Sequence, residues 1–267
     1  MKTNKSTAFE FIYQVAALII SVIIVHGVYV SVIRPGANAH IEQERQALAE
    51  NPEHISQRNG FVLIKDHEQE ACFVLLFWAL AIMGWKGAQT IRERGMLQQN
   101  LVQLEDGQRI LPEDSRDLSR TLEALPDRQR RSLLPRALLA ALHRFDSARN
   151  IQDVASAAHN ICEQEGERLE SELSMIRYIA WAIPSVGFIG TVRGIGDALG
   201  KANKAIEGDI SGVTQSLGVA FNSTLIALLI SIVLMFVVHQ LQLLQERYVL
   251  DAEEYCEEKL IRFLHTN

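Results

Sequence analysis

The chain has 267 residues, 48% of them hydrophobic and 22% charged, and its mean hydropathy of +0.06 is high for a water-soluble protein but low for one held wholly in a bilayer. Membrane spans joined to a polar domain explain this balance. The net charge of −6 and the lack of a basic run argue against nucleic-acid binding. Cys72, Cys162 and Cys256 lie far apart, so we expect buried apolar side chains rather than a metal site or a disulfide framework.

The first predicted transmembrane helix falls in residues 1–33. Its apolar run, from Phe11 to Ile33, has 23 residues, and about 20 residues cross a hydrocarbon core. Residues 1–5 and the tripeptide Ala37-Asn38-Ala39 also resemble the charged start and the cleavage site of a signal peptide. Because a signal peptide has an apolar run of only about 7–15 residues, we expect a retained helix.

Residues 34–70 are predicted to form a periplasmic segment, with a helix over residues 38–50 and a short strand over residues 60–64. The second transmembrane helix is placed at residues 71–85, a run of only 15 residues. Its flanking charged side chains can extend towards water, as long side chains do at membrane surfaces. They are Glu70 and Lys86.

Residues 86–175 are predicted to form a helical domain in the cytoplasm, and residues 245–267 a cytoplasmic helix that continues the fourth span. Apolar residues recur at helical spacing in two stretches of the domain. They are Leu134, Leu138, Leu142 and Phe145 in the first stretch, and Ile151, Val154, Ala158, Ile161 and Leu169 in the second. Basic residues near the first two spans favour an N-terminus inside the cell, although others after the first span weaken this bias.

Residues 176–244 are predicted to form a hairpin of two transmembrane helices that line a pore, joined by a short polar connection centred near Glu207. Thr191 lies sixteen residues before this centre and Thr224 seventeen residues after it. In an antiparallel hairpin this symmetry places the two threonines at about the same membrane depth. Two hydroxyls at one depth suit a polar path for ions through an otherwise apolar bundle.

Further polar residues of the hairpin are assigned to the same ion path. Asn222, Ser223 and Thr224 are consecutive, and because successive residues step about 100° around a helix, at least one of them should face a polar interior. Ser185, on the preceding helix, is another candidate. A serine or threonine can also bond to a carbonyl of its own helix, so any one of them alone is a weak signal.

Small residues of the hairpin are predicted to permit close packing of its helices. These are Gly187, Gly190, Gly194 and Gly218. Pro184 lies inside the first helix of the hairpin, where it removes one backbone hydrogen bond and acts either as a static kink or as a hinge. Arg193 and Asp197, four residues apart on one helix face, are predicted to form an interfacial ion pair, and the alternative is that they line an outer vestibule.

No aspartate or glutamate lies in the core of any predicted span, since Glu10 and Glu70 stand at the ends of spans. Proton-coupled membrane proteins usually need a titratable carboxylate within the membrane. If this chain conducts ions, we expect that carboxylate to come from another chain. The sequence has no P-loop, H-E-x-x-H or G-x-S-x-G motif, so neither enzymatic activity nor a bound cofactor or metal is expected.

The hairpin resembles the MotA/TolQ/ExbB proton-channel family, the larger subunit of bacterial ion-driven motors. Residues 184–194 (PSVGFIGTVRG) resemble the first pore helix of the family, and residues 217–225 (LGVAFNSTL) resemble the second. The four-span plan with a large cytoplasmic insert is similar to that of flagellar stators. The long segment 34–70 and the lack of a proline after Thr224 differ from flagellar stators.

The resemblance implies an all-α integral membrane protein of the bacterial inner membrane, with both termini in the cytoplasm. It implies a homopentamer, surrounded by lipid, around two copies of a single-span subunit like MotB, ExbD or TolR, which supplies the aspartate. Proton or sodium flow would then drive rotation of the ring or force on a cytoplasmic client. Thr191 and Thr224 match pore-facing positions of the family, and Pro184 matches a proline that couples ion passage to movement. The alternative is a structural membrane scaffold whose polar residues only bond helices together.

Overall fold

The computed structural model describes residues 3–50, 59–102, 109–206 and 210–265. Apart from an isolated β-bridge between Ile110 and Leu264, the regular elements in these ranges are helices, which confirms the predicted all-α fold. The α-helices are α1 (Thr3–Val28), α2 (Arg34–Glu50), α3 (Gly60–Ile64), α4 (His67–Arg94), α5 (Ser115–Glu123), α6 (Asp127–Arg130), α7 (Leu133–Ala148), α8 (Ile151–Glu172), α9 (Ser174–Gly200), α10 (Ala202–Ile206) and α11 (Ser211–Lys259). A π-helical turn at Tyr29–Ile33 joins α1 to α2, and 3₁₀ turns follow α4 and α11 at Gly95–Gln98 and Ile261–Phe263.

Four helical segments within the described ranges are long and apolar enough to cross a membrane. They are Ala8–Ala47, His67–Gln98, Ile151–Gly200 and Ser211–Phe263. The four predicted spans are therefore confirmed, and the protein is embedded in a membrane. With 49 residues, α11 is about twice as long as a bilayer requires, in agreement with the predicted extension of the fourth helix beyond its span.

The second membrane helix begins four residues earlier than predicted, at His67. The backbone N–H of Asp66, just before the helix, donates to Oε1 of Gln69 at 2.8 Å, and Nε2 of Gln69 donates to the carbonyl of Leu63 at 2.9 Å. A side chain that reaches back to the residue before its helix is half of a capping box, and it marks the start of the helix. Because of this earlier start, Glu68 and Glu70 belong to the second membrane helix.

The strand predicted at residues 60–64 is wrong, because these residues form α3. Oδ1 of Asn59 accepts a hydrogen bond from the backbone N–H of Phe61 at 2.8 Å, which is the usual way in which asparagine starts a helix. A short apolar run is compatible with either a strand or a helix, and here the asparagine cap decides. The helix predicted at residues 38–50 is confirmed and begins earlier, at Arg34, whereas residues 51–58 lie outside the described ranges.

Met1–Met83 and Met175–Val238 form one compact unit of the chain. Its helices are joined by polar side chains that reach backbone carbonyls of a neighbouring helix. Nε1 of Trp78 donates to the carbonyl of Gln14 at 2.9 Å, and Sγ of Cys72 lies 3.6 Å from the carbonyl oxygen of Ile183. These contacts hold α4 against α1 and against α9, so α4 lies beside the hairpin.

Gly84–Ser174 and His239–Asn267 form a second compact unit. Most of the apolar residues predicted to share a helix face lie in its core, as expected. The buried ones are Leu134, Leu138, Leu142, Phe145, Val154, Ala158 and Leu169. Ile161 is only partly buried against this core, and Ile151 is exposed because it is the first residue of α8.

Lys86, in the second unit, does not extend towards water. Its side chain is buried, and its Nζ lies 2.8 Å from Oε2 of Glu172, so α4 and α8 are joined by an ion pair. A buried lysine needs such a partner, since an unpaired charge away from water is strongly unfavourable. The three cysteines are buried free thiols, as expected from their spacing.

Candidate ion path

Thr191 and Thr224 face each other across the hairpin formed by α9 and α11. Their Oγ1 atoms are hydrogen-bonded to each other, and both residues are half-buried. The Thr191 hydroxyl also lies 3.0 Å from the carbonyl oxygen of Ala220, and the Thr224 hydroxyl lies 3.2 Å from that of Gly187. The structure therefore brings together the two threonines that the sequence symmetry places at one depth. Glu207, the centre of that symmetry, lies outside the described residues.

The threonine pair gathers four oxygen atoms, two from hydroxyls and two from backbone carbonyls. Each hydroxyl has one proton to donate and two lone pairs. The Thr191 hydroxyl also lies 3.4 Å from the carbonyl oxygen of Gly187, so two protons are shared among four contacts and a hydroxyl can turn from one acceptor to another. Oxygens of this kind can replace part of the hydration shell of a passing cation, or accept and donate hydrogen bonds along a proton path. The cluster itself has no ionisable group, and its chemistry is compatible with either proton or sodium.

Three glycines allow α9 and α11 to approach closely enough for this contact. A Cβ added to Gly194 would lie 2.8 Å from the backbone nitrogen of Ala220, and one added to Gly190 would lie 2.6 Å from Cβ of Ser223. A Cβ added to Gly187 would overlap that of Ala227. The spacing of three and four residues puts all three glycines on the side of α9 that faces α11, where small residues bring membrane helices together.

The remaining predicted residues of the hairpin have different surroundings. The hydroxyl of the fully buried Ser223 donates to the carbonyl of Val219 at 2.9 Å, and that of the exposed Ser185 donates to the carbonyl of Trp181 at 3.2 Å. Both bonds stay within one helix, so neither serine belongs to the oxygen cluster. Asn222 is half-buried. No described atom comes within 4 Å of a Cβ added to Gly218, so the described chain provides no packing partner for this glycine.

Sequence reasoning missed Ser231, which complements Pro184. Proline has no N–H, so the carbonyl four residues earlier in α9, that of Ala180, loses its usual partner within the helix. The hydroxyl of Ser231, on α11, donates to this carbonyl at 3.1 Å. Polar side chains of neighbouring membrane helices commonly satisfy carbonyls that proline frees. The only sequence signal for such a bond is therefore a proline on one helix and a serine on the helix that faces it.

Replacing Ser231 with alanine is expected to lower the free energy of unfolding by about 1–2 kcal/mol, because a buried carbonyl loses its partner. In a Pro184→Ala background the helix regains its own N–H donor, so the effect of Ser231→Ala should fall below about 0.5 kcal/mol. Thermal unfolding of the detergent-purified protein measures both effects. Ser185→Ala, which removes a bond within one helix, is the control, and an equal loss in both backgrounds would contradict this assignment.

The predicted ion pair between Arg193 and Asp197 is wrong. Nη2 of Arg193 instead donates to Oε2 of Glu68, on α4, at 2.8 Å. Glu68 also packs on the hairpin, because its Cγ lies 3.1 Å from the position of a Cβ on Gly190. Glu68 stands in the first turn of α4, at the end of a span, and it nevertheless reaches the hairpin at Gly190.

Asp66 adds a second carboxyl group near Arg193. Burial raises the pKa of Asp66 above its ordinary value, and the positive charges of Lys65 and Arg193 reduce this shift. Its buried Oδ2 has no hydrogen-bond partner among the described residues. Among all the residues that the structure describes, no group of three or more His, Cys, Asp or Glu side chains has a geometry that could hold a metal ion.

Comparison with known proteins agrees with the resemblance seen in the hairpin. No curated protein and no solved structure matches the chain. A family model does match, over residues 129–254, and this range contains α7, α8, α9 and most of α11. Both helices that form the oxygen cluster, with Thr191 and Thr224, lie inside the matched range, and the chain belongs to the MotA/TolQ/ExbB proton channel family.

Proposed function

We propose that the protein is an ion-conducting, stator-like motor subunit that couples proton or sodium flow across the bacterial inner membrane to rotation or force on a client. Its family supports ion-driven function in general. The observation that carries the proposal is the pair formed by Thr191 and Thr224, which gathers hydroxyl and carbonyl oxygens inside a membrane hairpin. Polar groups at such a position are expensive to keep in a bilayer, and they commonly mark the route of an ion.

The proposed path needs a titratable group that the oxygen cluster lacks. We assign it to an aspartate of a single-span partner subunit like MotB, ExbD or TolR, present in two copies inside a homopentamer of this chain. Large apolar side chains that remain exposed on the hairpin support assembly, because neighbouring copies and lipid would cover them. Examples are Trp181, Phe188, Leu199, Phe221, Leu229, Ile232 and Phe236.

In this proposal the protein has no enzymatic activity and no cofactor, and the transported ion is its only substrate. Both termini and residues 86–175 lie in the cytoplasm, where the helical insert would transmit force to the client. The basic residues close to the first two spans support this orientation through the positive-inside rule.

The mass of the detergent-solubilised complex, expressed with a neighbouring small membrane protein, tests the proposal most directly. We expect about five copies of this chain with a substoichiometric single-span partner that has an aspartate near the start of its span. A monomer or dimer that copurifies with no such partner would favour the structural scaffold instead.

The scaffold remains the second candidate because interhelical hydrogen bonds from threonine also stabilise membrane bundles, by about 0.6–2 kcal/mol each. It predicts that loss of either hydroxyl lowers the yield of assembled protein. The motor proposal predicts normal assembly with loss of ion flux, so the same two variants separate the candidates.

A further inference from the structure

Arg193 places a permanent positive charge two residues from Thr191, a rise of only about 3 Å along the helix axis. A guanidinium group does not lose its proton in proteins, so this charge is present at any physiological pH. An uncompensated unit charge about 10 Å from a passing cation, at an effective dielectric constant of about 20, slows the cation by about tenfold or more. An arginine here would therefore oppose the function proposed above unless another group neutralises it.

Glu68 is held where it can neutralise this charge. The point occupied by a Cβ on Gly190 would be 3.1 Å from Cγ of Glu68 and 2.7 Å from Oγ of Ser223. The glutamate therefore lies against α9 at Gly190, the residue before Thr191, where Gly190 in turn packs on Ser223 of α11. The side chain of Glu68 is only 12% exposed, against 45% for Arg193. The distance from Nη2 of Arg193 to Oε2 of Glu68 is 2.8 Å.

We propose that Glu68 is a positioning residue for the ion path, which neutralises Arg193 and so keeps the approach to the threonine pair open to cations. This inference rests on the proposed ion conduction. It assigns to α4, which the sequence places outside the pore hairpin, a direct electrostatic effect on the path. The carboxylate that binds and releases the transported ion remains that of the partner subunit.

Two other carboxyl groups near Arg193 are weaker candidates for this role. Asp66 lies close enough for the charge of Arg193 to affect its pKa, but burial raises that pKa and the Oδ2 of Asp66 has no hydrogen-bond partner among the described residues. Asp197 is one helical turn from Arg193 on α9, but the guanidinium group of Arg193 pairs with Glu68 instead. Asp197 therefore supplies a matched control, since it offers the same charge at the spacing from which the sequence predicts a pair.

The two members of the pair should have opposite effects on cation flux, and this distinguishes neutralisation from a structural clamp. Glu68→Gln leaves the guanidinium uncompensated, so we expect flux to fall about tenfold. Arg193→Gln removes the positive charge that opposes cations, so flux should equal or exceed that of the wild type. The double variant should return to within about threefold of wild type, and Asp197→Asn should leave flux unchanged.

The experiment uses the full complex with its single-span partner in proteoliposomes, with H⁺ and then Na⁺ as the probe ion and size-exclusion chromatography to measure assembly. Equal losses from Glu68→Gln and Arg193→Gln, or failure of the double variant to recover, would overturn the inference and leave a structural clamp. If Glu68→Gln does not assemble, Arg193→Gln still decides, because a clamp requires it to fail as well. Absence of flux in the wild type would instead remove the proposed function, on which this inference rests.

Discussion

Thr191→Ala and Thr224→Val are each expected to reduce ion flux by at least about 100-fold, while the ring still assembles. A desolvated ion that loses a polar partner in an apolar environment meets an energy barrier higher by several kcal/mol, and each 1.4 kcal/mol corresponds to a factor of ten in rate. Either substitution removes one of the two hydroxyls and the contacts it makes with the facing carbonyl. Ion flux into proteoliposomes that contain the purified complex measures the effect.

The matched control for the threonine variants is Thr214→Val. Thr214 lies on the same helix as Thr224 but is exposed, and its hydroxyl reaches only nearby carbonyls, those of Ile210 and Ser211. This variant should conduct as the wild type does. Normal flux through both threonine variants would exclude the proposed path, and loss of assembly in both would support the scaffold.

Gly194→Ala is expected to disrupt the hairpin, at a cost of about 1–3 kcal/mol or more. The added Cβ would lie 2.8 Å from Cβ and the backbone nitrogen of Ala220 and 2.8 Å from the carbonyl oxygen of Ser216. Two of these are backbone atoms, which cannot move aside unless α11 itself shifts. A lower unfolding temperature and a lower yield of assembled complex are the expected results.

Gly196→Ala is the control for this prediction, since it makes the same chemical change two residues further along α9. No described atom comes within 4 Å of a Cβ added to Gly196. Alanine also favours helix more than glycine does, so this variant should be neutral or slightly stabilising. If both variants destabilise the protein equally, the cause is not the contact between α9 and α11.

The candidate site could be predicted from the sequence in part. The symmetry of Thr191 and Thr224 about the connection is visible in the sequence because an antiparallel hairpin converts equal spacing into equal depth. The sequence also indicated Gly187, Gly190 and Gly194 by their helical spacing. Ser231 was missed because its partner is a backbone carbonyl 51 residues away: Pro184 marks that carbonyl as lacking a donor, but the sequence does not show which residue of α11 faces it.

Local spacing was misleading where a distant residue offered a better-placed partner. Arg193 and Asp197 have the spacing of a helical ion pair, yet Arg193 donates its hydrogen bond to Glu68, 125 residues away in the sequence. A pair on one exposed helix face gains little because water screens it, whereas a largely buried carboxylate pressed against Gly190 has few alternatives to the arginine. The apolar run at residues 60–64 was misread for a related reason, since its state depended on a cap at Asn59 rather than on the run itself.

The sequence by itself determined the four membrane helices and the pairing of Thr191 with Thr224, because the thickness of a bilayer and the geometry of a helix convert residue counts directly into depth. Only the tertiary structure decided which helix lies against the hairpin, because the packing of α4 depends on contacts between residues far apart in the chain. That packing brings Glu68 to Arg193, and it places a carboxylate against the hairpin, which residue spacing alone did not predict.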